Sequence, residues 1–217
     1  MWMIIWDYSD TIMPAVCILI MLPVLRLVRR ADFALLFTYL VFTVLIKGYS
    51  NYLADRGLNN LYLYHAYTLL EVILIIPYLS LLNKGLERIT WIVVGLFIIF
   101  FILDIALWES LEVFNSYTSS AASLLVAFFC FRYLKELAGN DQVMYFQKMP
   151  SFWMVSGFLF VSVTGILVLA TYKTPMLFGE EIRTKVWYMQ QAADVIRYIL
   201  ISIGIICCYR PLSRAGS

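Results

Sequence analysis

Apolar and polar positions alternate along this chain in long blocks rather than with the short periods of an amphipathic soluble fold. Each apolar block suits the ~20 residues that an α-helix needs to cross ~30 Å of hydrocarbon. The pattern predicts an all-α, polytopic integral membrane protein: a single seven-helix transmembrane domain at 1–210 and a polar tail at 211–217. The predicted helices cover residues 11–28, 32–51, 60–82, 89–108, 116–134, 151–172 and 186–209. The second and fifth blocks are the least apolar, so six spans remain an alternative.

The composition strengthens the membrane interpretation. Of the 217 residues, 63% are hydrophobic and only 14% are charged, whereas soluble domains average about 45–50% and about 25%. A chain of this size cannot hide so much apolar surface from water, so the lipid bilayer is its expected partner. The net charge of +2 comes without a basic block, which argues against a nucleic-acid partner. We expect the protein in the plasma (inner) membrane.

The distribution of Lys and Arg predicts the orientation, because loops on the cytoplasmic side carry an excess of positive charge. With the amino terminus outside and the carboxyl terminus in the cytoplasm, ten basic residues fall on the inner side and five on the outer side. The inner set is Arg26, Arg29, Arg30, Lys84, Arg88, Arg132, Lys135, Lys148, Arg210 and Arg214. The outer set is Lys47, Arg56, Lys173, Arg183 and Lys185.

Polar side chains inside the predicted spans are the candidate functional residues, since charge within hydrocarbon is costly and is usually retained for function. Two helices carry most of them at spacings that share one helical face. The third contributes Tyr64, His65, Thr68 and Glu71, and the seventh contributes Gln190, Gln191, Asp194 and Arg197. Lys47, Asn51 and Asp104 lie near the outer ends of the second and fourth helices. All eleven belong to the outer half, so the sequence predicts an outward-facing polar pocket.

Several of these residues also have a purely structural interpretation. Lys47 has a stem long enough to reach the membrane surface, Asp104 is placed to cap a helix end, and His65 lies near the interface as a hydrogen-bonding group. Arg197 is spaced to pair with Asp194 on its own helix and to reach Glu71 across the bundle. Such a buried pair serves equally well to orient two helices.

Known chemistries of seven-helix proteins narrow the choice of cofactor. The chain is similar to rhodopsins in predicted helix count and orientation only, and rhodopsins attach retinal to a lysine in the middle of the last helix. That region here reads QQAADVIRYILIS, and Lys185 precedes the span, so we expect no retinal and no other cofactor. A single histidine and four cysteines without C-x-x-C spacing predict no metal site.

The favoured interpretation is a small-ligand-binding or sensory, receptor-like protein that acts through a separate membrane or cytoplasmic signalling partner. A small-solute or proton-coupled transporter is the first alternative. A membrane-embedded lipid enzyme, with Glu71, Asp194 and His65 as acid–base groups, and a subunit of a membrane complex are the others. A non-enzymatic role is favoured over an enzymatic one.

Overall fold

The computed structural model describes residues 6, 8–27, 30–83, 85–139, 145–172 and 180–212. All regular secondary structure within these ranges is helical, which confirms the all-α prediction. One turn of 3-10 helix, Phe146–Lys148, precedes the sixth of seven α-helices. The α-helices are α1 Ser9–Leu27, α2 Ala31–Asp55, α3 Leu61–Leu82, α4 Glu87–Leu107, α5 Ser116–Ala138, α6 Pro150–Tyr172 and α7 Glu180–Leu212.

Several helices extend beyond the predicted apolar blocks. Helix α2 continues to Asp55, whereas the sequence pattern predicts its end at residue 51. Helix α7 covers Glu180–Leu212, whereas the pattern predicts 186–209. Hydropathy marks the part of a helix that suits hydrocarbon, and a helix can continue into the polar region beyond it. The predicted tail therefore begins inside α7. Residues 213–217 and the first half of the predicted linker, 173–179, lie outside the described residues.

Four helices are long and apolar enough to cross a membrane. They are α2, α3, α4 and the part of α7 from Trp187 to Tyr209. Ser9–Leu25 and Pro150–Ile166 are shorter apolar segments. Helix α5 does not reach the same apolarity in the described chain, because its first turns are rich in Ser and Thr. These helices support membrane association.

Six of the helices pack in a ring, and α4 lies against its outside. In sequence, α1 contacts α2, α2 contacts α3, α3 contacts α5, α5 contacts α6, α6 contacts α7, and α7 returns to α1. Helix α4 packs on α3 and less closely on α5, and most of its apolar surface is uncovered. Leu96, Ile99 and Ile102 on α4 are more than half exposed, which is the expected state of side chains that face lipid tails.

Helices α6 and α7 make the closest contact of the bundle, and glycines permit it. A Cβ atom added to Gly204 would lie 2.7 Å from both the Met154 side chain and the Pro150 carbonyl oxygen. A Cβ atom on Gly157 would lie 3.0 Å from the carbonyl oxygen of Arg197. Small residues at such crossings let helix backbones approach in a membrane. The approach at Gly157 fixes the position of Arg197 relative to α6.

Candidate functional site

A cavity of about 130 Å³ opens between the helices of the ring. That volume is well above the ~10–15 Å³ that one water molecule needs. Its walls come from the first halves of α1, α3 and α5, from the second halves of α2 and α6, and from α7 down to its middle, so it lies toward one end of the bundle, here called the pocket end. The lining residues are Asp10, Lys47, Tyr64, Tyr67, Thr68, Glu71, Phe114, Asn115, Ser119, Ser123, Val161, Ser162, Gly165, Trp187, Gln190, Gln191, Asp194 and Arg197.

Arg197 organises the deepest part of the cavity. Its Nη1 donates to Glu71 Oε1 on α3 at 3.1 Å, and its Nη2 lies 2.8 Å from Asp194 Oδ1 one turn earlier on α7. The same Nη2 donates to the hydroxyls of Tyr67 at 3.2 Å and Tyr198 at 2.8 Å. The arginine side chain is only 3% exposed. Its five donors in a planar fork suit a site that needs several simultaneous hydrogen bonds.

Tyr39 on α2 extends this cluster to a third helix. Its hydroxyl lies 2.7 Å from the Tyr67 hydroxyl and donates to Glu71 Oε1 at 3.3 Å. The guanidinium carbon of Arg197 lies 6.0 Å from the Tyr39 ring centroid and 4.6 Å from that of Tyr198, within reach of cation–π attraction. Arg197 is thus surrounded by two carboxylates and three tyrosines, which replace the water that its two terminal nitrogens have lost, whereas its Nε has no hydrogen-bond partner among the described residues.

A second charged pair lies nearer the pocket end. Lys47 Nζ on α2 is 3.7 Å from Asp10 Oδ2 on α1, and it lies 4.8 Å from the Tyr64 ring centroid and 5.0 Å from that of Tyr67. Asn51 donates to Asp10 Oδ1 at 3.1 Å. Lys47 and Asp10 keep only 11% and 12% of their side-chain surface exposed. Lys47 is therefore folded into the bundle and does not extend to the surface.

The wall between α3 and α5 is a neutral hydrogen-bond network. Asn115, immediately before α5, donates to the Tyr64 carbonyl at 3.2 Å and to Thr68 Oγ1 at 2.7 Å. Thr68 Oγ1 also lies 3.1 Å from Ser119 Oγ. Asn115 is 1% exposed, and its Oδ1 has no hydrogen-bond partner among the described residues. The Oε1 atoms of Gln190 and Gln191 share that state.

Eight of the eleven site residues predicted from the sequence lie together in the structure. These are Lys47, Tyr64, Thr68, Glu71, Gln190, Gln191, Asp194 and Arg197, all of which line the cavity. Asn51 is outside the lining and donates a hydrogen bond to Asp10, which is part of it. Asp104 is fully buried on α4, away from the lining.

His65 lies outside the cavity as well. It is 1% exposed, its Nε2 is 3.0 Å from the Val113 carbonyl oxygen, and its ring contacts Phe101 edge to face. A carbonyl oxygen only accepts, so this contact requires the proton on Nε2, which then donates to Val113 and ties α3 to the segment before α5. The geometry places His65 in a bridging position between elements, away from the charged side chains of the cavity.

Other lining residues carry weaker sequence signals. Tyr67 is four residues before Glu71 and could be found from helical spacing. Tyr39 is outside the lining but bonded to Glu71, and it lies about two turns before the predicted site residue Lys47 on α2. Asp10 and Asn115 lie at helix starts outside the predicted spans, where polar residues are ordinary, so only the fold identifies them.

An apolar layer closes the cavity toward the opposite end of the bundle. One or two turns below Arg197 and Glu71, residues from four helices are buried to 0–2% exposure. They are Leu36, Leu40, Ile75, Ile76, Leu79, Phe158, Ile201 and Ile205. Phe158 on α6 is central to this layer, because its ring contacts both Tyr39 at 5.8 Å and Tyr78 at 6.1 Å. The layer separates the polar cavity from the other half of the molecule.

This arrangement is suited to binding a small polar molecule. It offers charged groups, hydroxyls, amides and aromatic faces in one partly enclosed volume, which is the usual makeup of a ligand site. In the described part of the chain, no three or more His, Cys, Asp or Glu residues are grouped to hold a metal ion.

Comparison of the chain with protein-family models, with curated proteins and with solved structures finds no match. The cavity and its residues are therefore the basis for a functional conclusion.

Proposed function

We propose that the protein is a membrane-embedded, receptor-like protein that binds a small polar ligand in the cavity at the pocket end. The observation that carries the proposal is the convergence of Asp10, Lys47, Glu71, Asp194 and Arg197 on one cavity. Ionisable side chains among apolar helices are expensive and are retained where they serve a site. The five come from four different helices, so a ligand that contacts them would respond to the arrangement of the whole ring.

The apolar layer favours binding over transport. A transporter needs a route that opens toward each side in turn, and known ones commonly use broken helices at mid-membrane. Below this cavity, Leu40, Ile76 and Phe158 are fully buried in a packed core. A ligand held above such a layer would stay on one side of the membrane, as it does in a receptor.

We assign the pocket end to the outer face of the membrane. The excess of Lys and Arg in the loops of the other end supports this orientation. It is tested by placing single cysteines at exposed positions of the two ends, Leu58→Cys at the pocket end and Gln147→Cys at the other. A membrane-impermeant maleimide applied to intact cells is expected to label only Leu58→Cys. Labelling of Gln147→Cys alone would reverse the orientation.

The opposite end offers a place for a signalling partner. A second cavity of about 360 Å³ is lined there by Arg30, Asp32, Tyr78 and Met154, among others. Tyr78 donates to Met154 Sδ at 3.3 Å, and its ring contacts Phe158. The rings of Tyr39, Phe158 and Tyr78 therefore connect the Arg197 cluster with this second cavity. A rearrangement of Tyr39 on ligand binding would shift these rings and change the shape of the second cavity at the inner face.

Ligand binding is tested by thermal unfolding of the protein in detergent against a panel of small amines, amino acids, carboxylates and sugars. We expect at least one class to raise the melting temperature, because a ligand that binds only the folded state stabilises it. The shift should be lost in Glu71→Gln and kept in Lys148→Gln, whose lysine is exposed at the other end. Absence of any shift, or uptake of the binding compound into proteoliposomes faster than into protein-free liposomes, would contradict the receptor proposal.

A further inference from the structure

The charges around the cavity do not balance, and the imbalance indicates which ligand fits. Lys47 and Asp10 form one pair, but Arg197 is shared by Glu71 and Asp194. The described lining residues therefore contain three carboxylates and two cations. Two carboxylates beside one guanidinium leave a negative charge that a bound cation would neutralise.

Exposure within the cavity shows the same bias. The Arg197 side chain is 3% exposed, with both terminal nitrogens engaged, whereas Glu71 and Asp194 retain 19% and 14% exposure. A bound molecule would reach these carboxylates more easily than the guanidinium. The second cation, Lys47, lies over the Tyr64 and Tyr67 rings. Within the Arg197 cluster, the carboxylates of Glu71 and Asp194 are thus more accessible to a ligand than the guanidinium.

Unpartnered hydrogen-bond acceptors are an independent observation. The Asn115 side-chain amide must donate to the Tyr64 carbonyl, which can only accept, so its Oδ1 is the acceptor that remains unpaired. Gln190 and Gln191 add two Oε1 atoms without a partner among the described residues. Buried acceptors are rarely left unsatisfied. Three buried acceptors beside the cavity, against one buried donor without a partner (Arg197 Nε), favour a ligand that carries N–H groups.

The remaining wall is aromatic. Tyr64, Phe114 and Trp187 line the cavity toward the pocket end, with the Tyr64 ring centroid 6.1 Å from that of Phe114 and 6.2 Å from that of Trp187. The faces of such rings attract ammonium groups and accommodate their apolar substituents. A small organic cation would satisfy the carboxylates, the amide oxygens and the rings together.

Resting on the proposed binding function, we infer that the cavity takes a small organic ammonium compound with N–H donors. The surplus carboxylate in the Glu71–Arg197–Asp194 cluster balances its charge. Asn115, Gln190 and Gln191 accept its N–H groups. The aromatic wall covers its carbon chain.

Four probes of similar size separate the contributions. Butylammonium carries charge and N–H donors, tetramethylammonium carries charge alone, 1-butanol is uncharged, and butyrate is an anion. Each is titrated at constant ionic strength into the millimolar range, the affinity expected for a ligand of five or six heavy atoms. At about five times its Kd, butylammonium is expected to raise the melting temperature by roughly 2–4 °C. Tetramethylammonium should give a smaller rise, and 1-butanol and butyrate none.

Two variants test the assigned residues. Gln191→Met removes an acceptor that has no partner, so the apo protein should fold and keep its melting temperature while the response to butylammonium falls at least by half. Gln147→Met, at an exposed site of the other end, is the matched control and should respond as the wild type. Asp194→Asn removes the surplus charge and should weaken butylammonium binding about tenfold or more.

The possible results separate this inference from the proposed function. Stabilisation by butyrate or 1-butanol that equals or exceeds that by butylammonium would overturn the ammonium assignment and leave a ligand-binding protein. An equal response in Gln191→Met and the wild type would overturn the role of the amide acceptors. If butylammonium fails while another class in the wider panel binds, only the inference falls; if nothing in either set binds, both do.

Discussion

Replacing Arg197 with alanine is expected to lower the apparent melting temperature by roughly 6–20 °C, the largest effect of any single change in the cavity. Removing one partner of a buried ion pair costs about 3–5 kcal/mol, because the other charge stays buried without compensation. Each kcal/mol corresponds to about 2–4 °C in a protein of this size. In Arg197→Ala, the buried carboxylates of Glu71 and Asp194 lose their cationic partner, and the hydroxyls of Tyr67 and Tyr198 lose a hydrogen-bond donor.

Three further variants show whether charge is responsible. Arg132→Ala, on an exposed position of α5, controls for the loss of an arginine and should change the melting temperature little. Arg197→Lys should recover part of the loss, because it restores charge without the planar fork. The triple variant Arg197→Leu, Glu71→Gln, Asp194→Asn should be more stable than Arg197→Ala, since no charge is stranded. A triple variant that is no better than Arg197→Ala would contradict this account.

Heating membrane proteins often unfolds them irreversibly, so these comparisons use one scan rate and one detergent. The same samples report function. If butylammonium raises the melting temperature of the wild type, it should also raise that of folded Arg197→Ala, because the carboxylates of Glu71 and Asp194 remain.

Much of the bundle could be predicted from hydropathy alone. Apolar blocks locate the seven α-helices of the described chain, and four of these helices are long and apolar enough to cross hydrocarbon. Helical spacing also placed Glu71 and Thr68 on one face of α3, and Asp194 and Arg197 on one face of α7. The structure brings the two faces together, with Arg197 Nη1 3.1 Å from Glu71 Oε1. Helix ends were less predictable. The first residues of α7 are polar, so the hydropathy pattern does not show that the helix already begins at Glu180.

The remaining parts of the site depend on which helices are neighbours. Asp10 and Lys47 meet because α1 packs on α2, and the sequence carries no periodic signal for that choice. Asn115 lies at the start of α5 and enters the cavity only because α5 packs on α3. His65 shares a helix with Glu71, but its Nε2 lies beside the Val113 carbonyl oxygen. Spacing on one helix predicts a shared face, whereas the contact across the bundle is a property of the packing.

The apolar layer beneath the cavity leads to a second large effect, in Phe158→Ala. Phe158 is fully buried between Tyr39 and Tyr78. Truncating a buried phenylalanine to alanine costs about 3–5 kcal/mol, through lost burial and the cavity left behind. We expect the apparent melting temperature to fall by roughly 6–20 °C. Phe158→Leu, which fills most of the space, should lose less.

Phe160 provides the matched control, since it has the same side chain two residues along α6 and is 44% exposed. Phe160→Ala should change the melting temperature by no more than about 2 °C, as expected for a site away from buried contacts. Equal losses in Phe158→Ala and Phe160→Ala would mean that Phe158 is not a packing centre. Phe158→Ala also tests the apolar layer as a barrier, with tetramethylammonium as the probe because this permanent cation has no neutral form that crosses lipid. Proteoliposomes with the wild type or Phe160→Ala should exclude it, and leakage confined to Phe158→Ala would place the barrier at the Phe158 ring, which lies between Tyr39 and Tyr78.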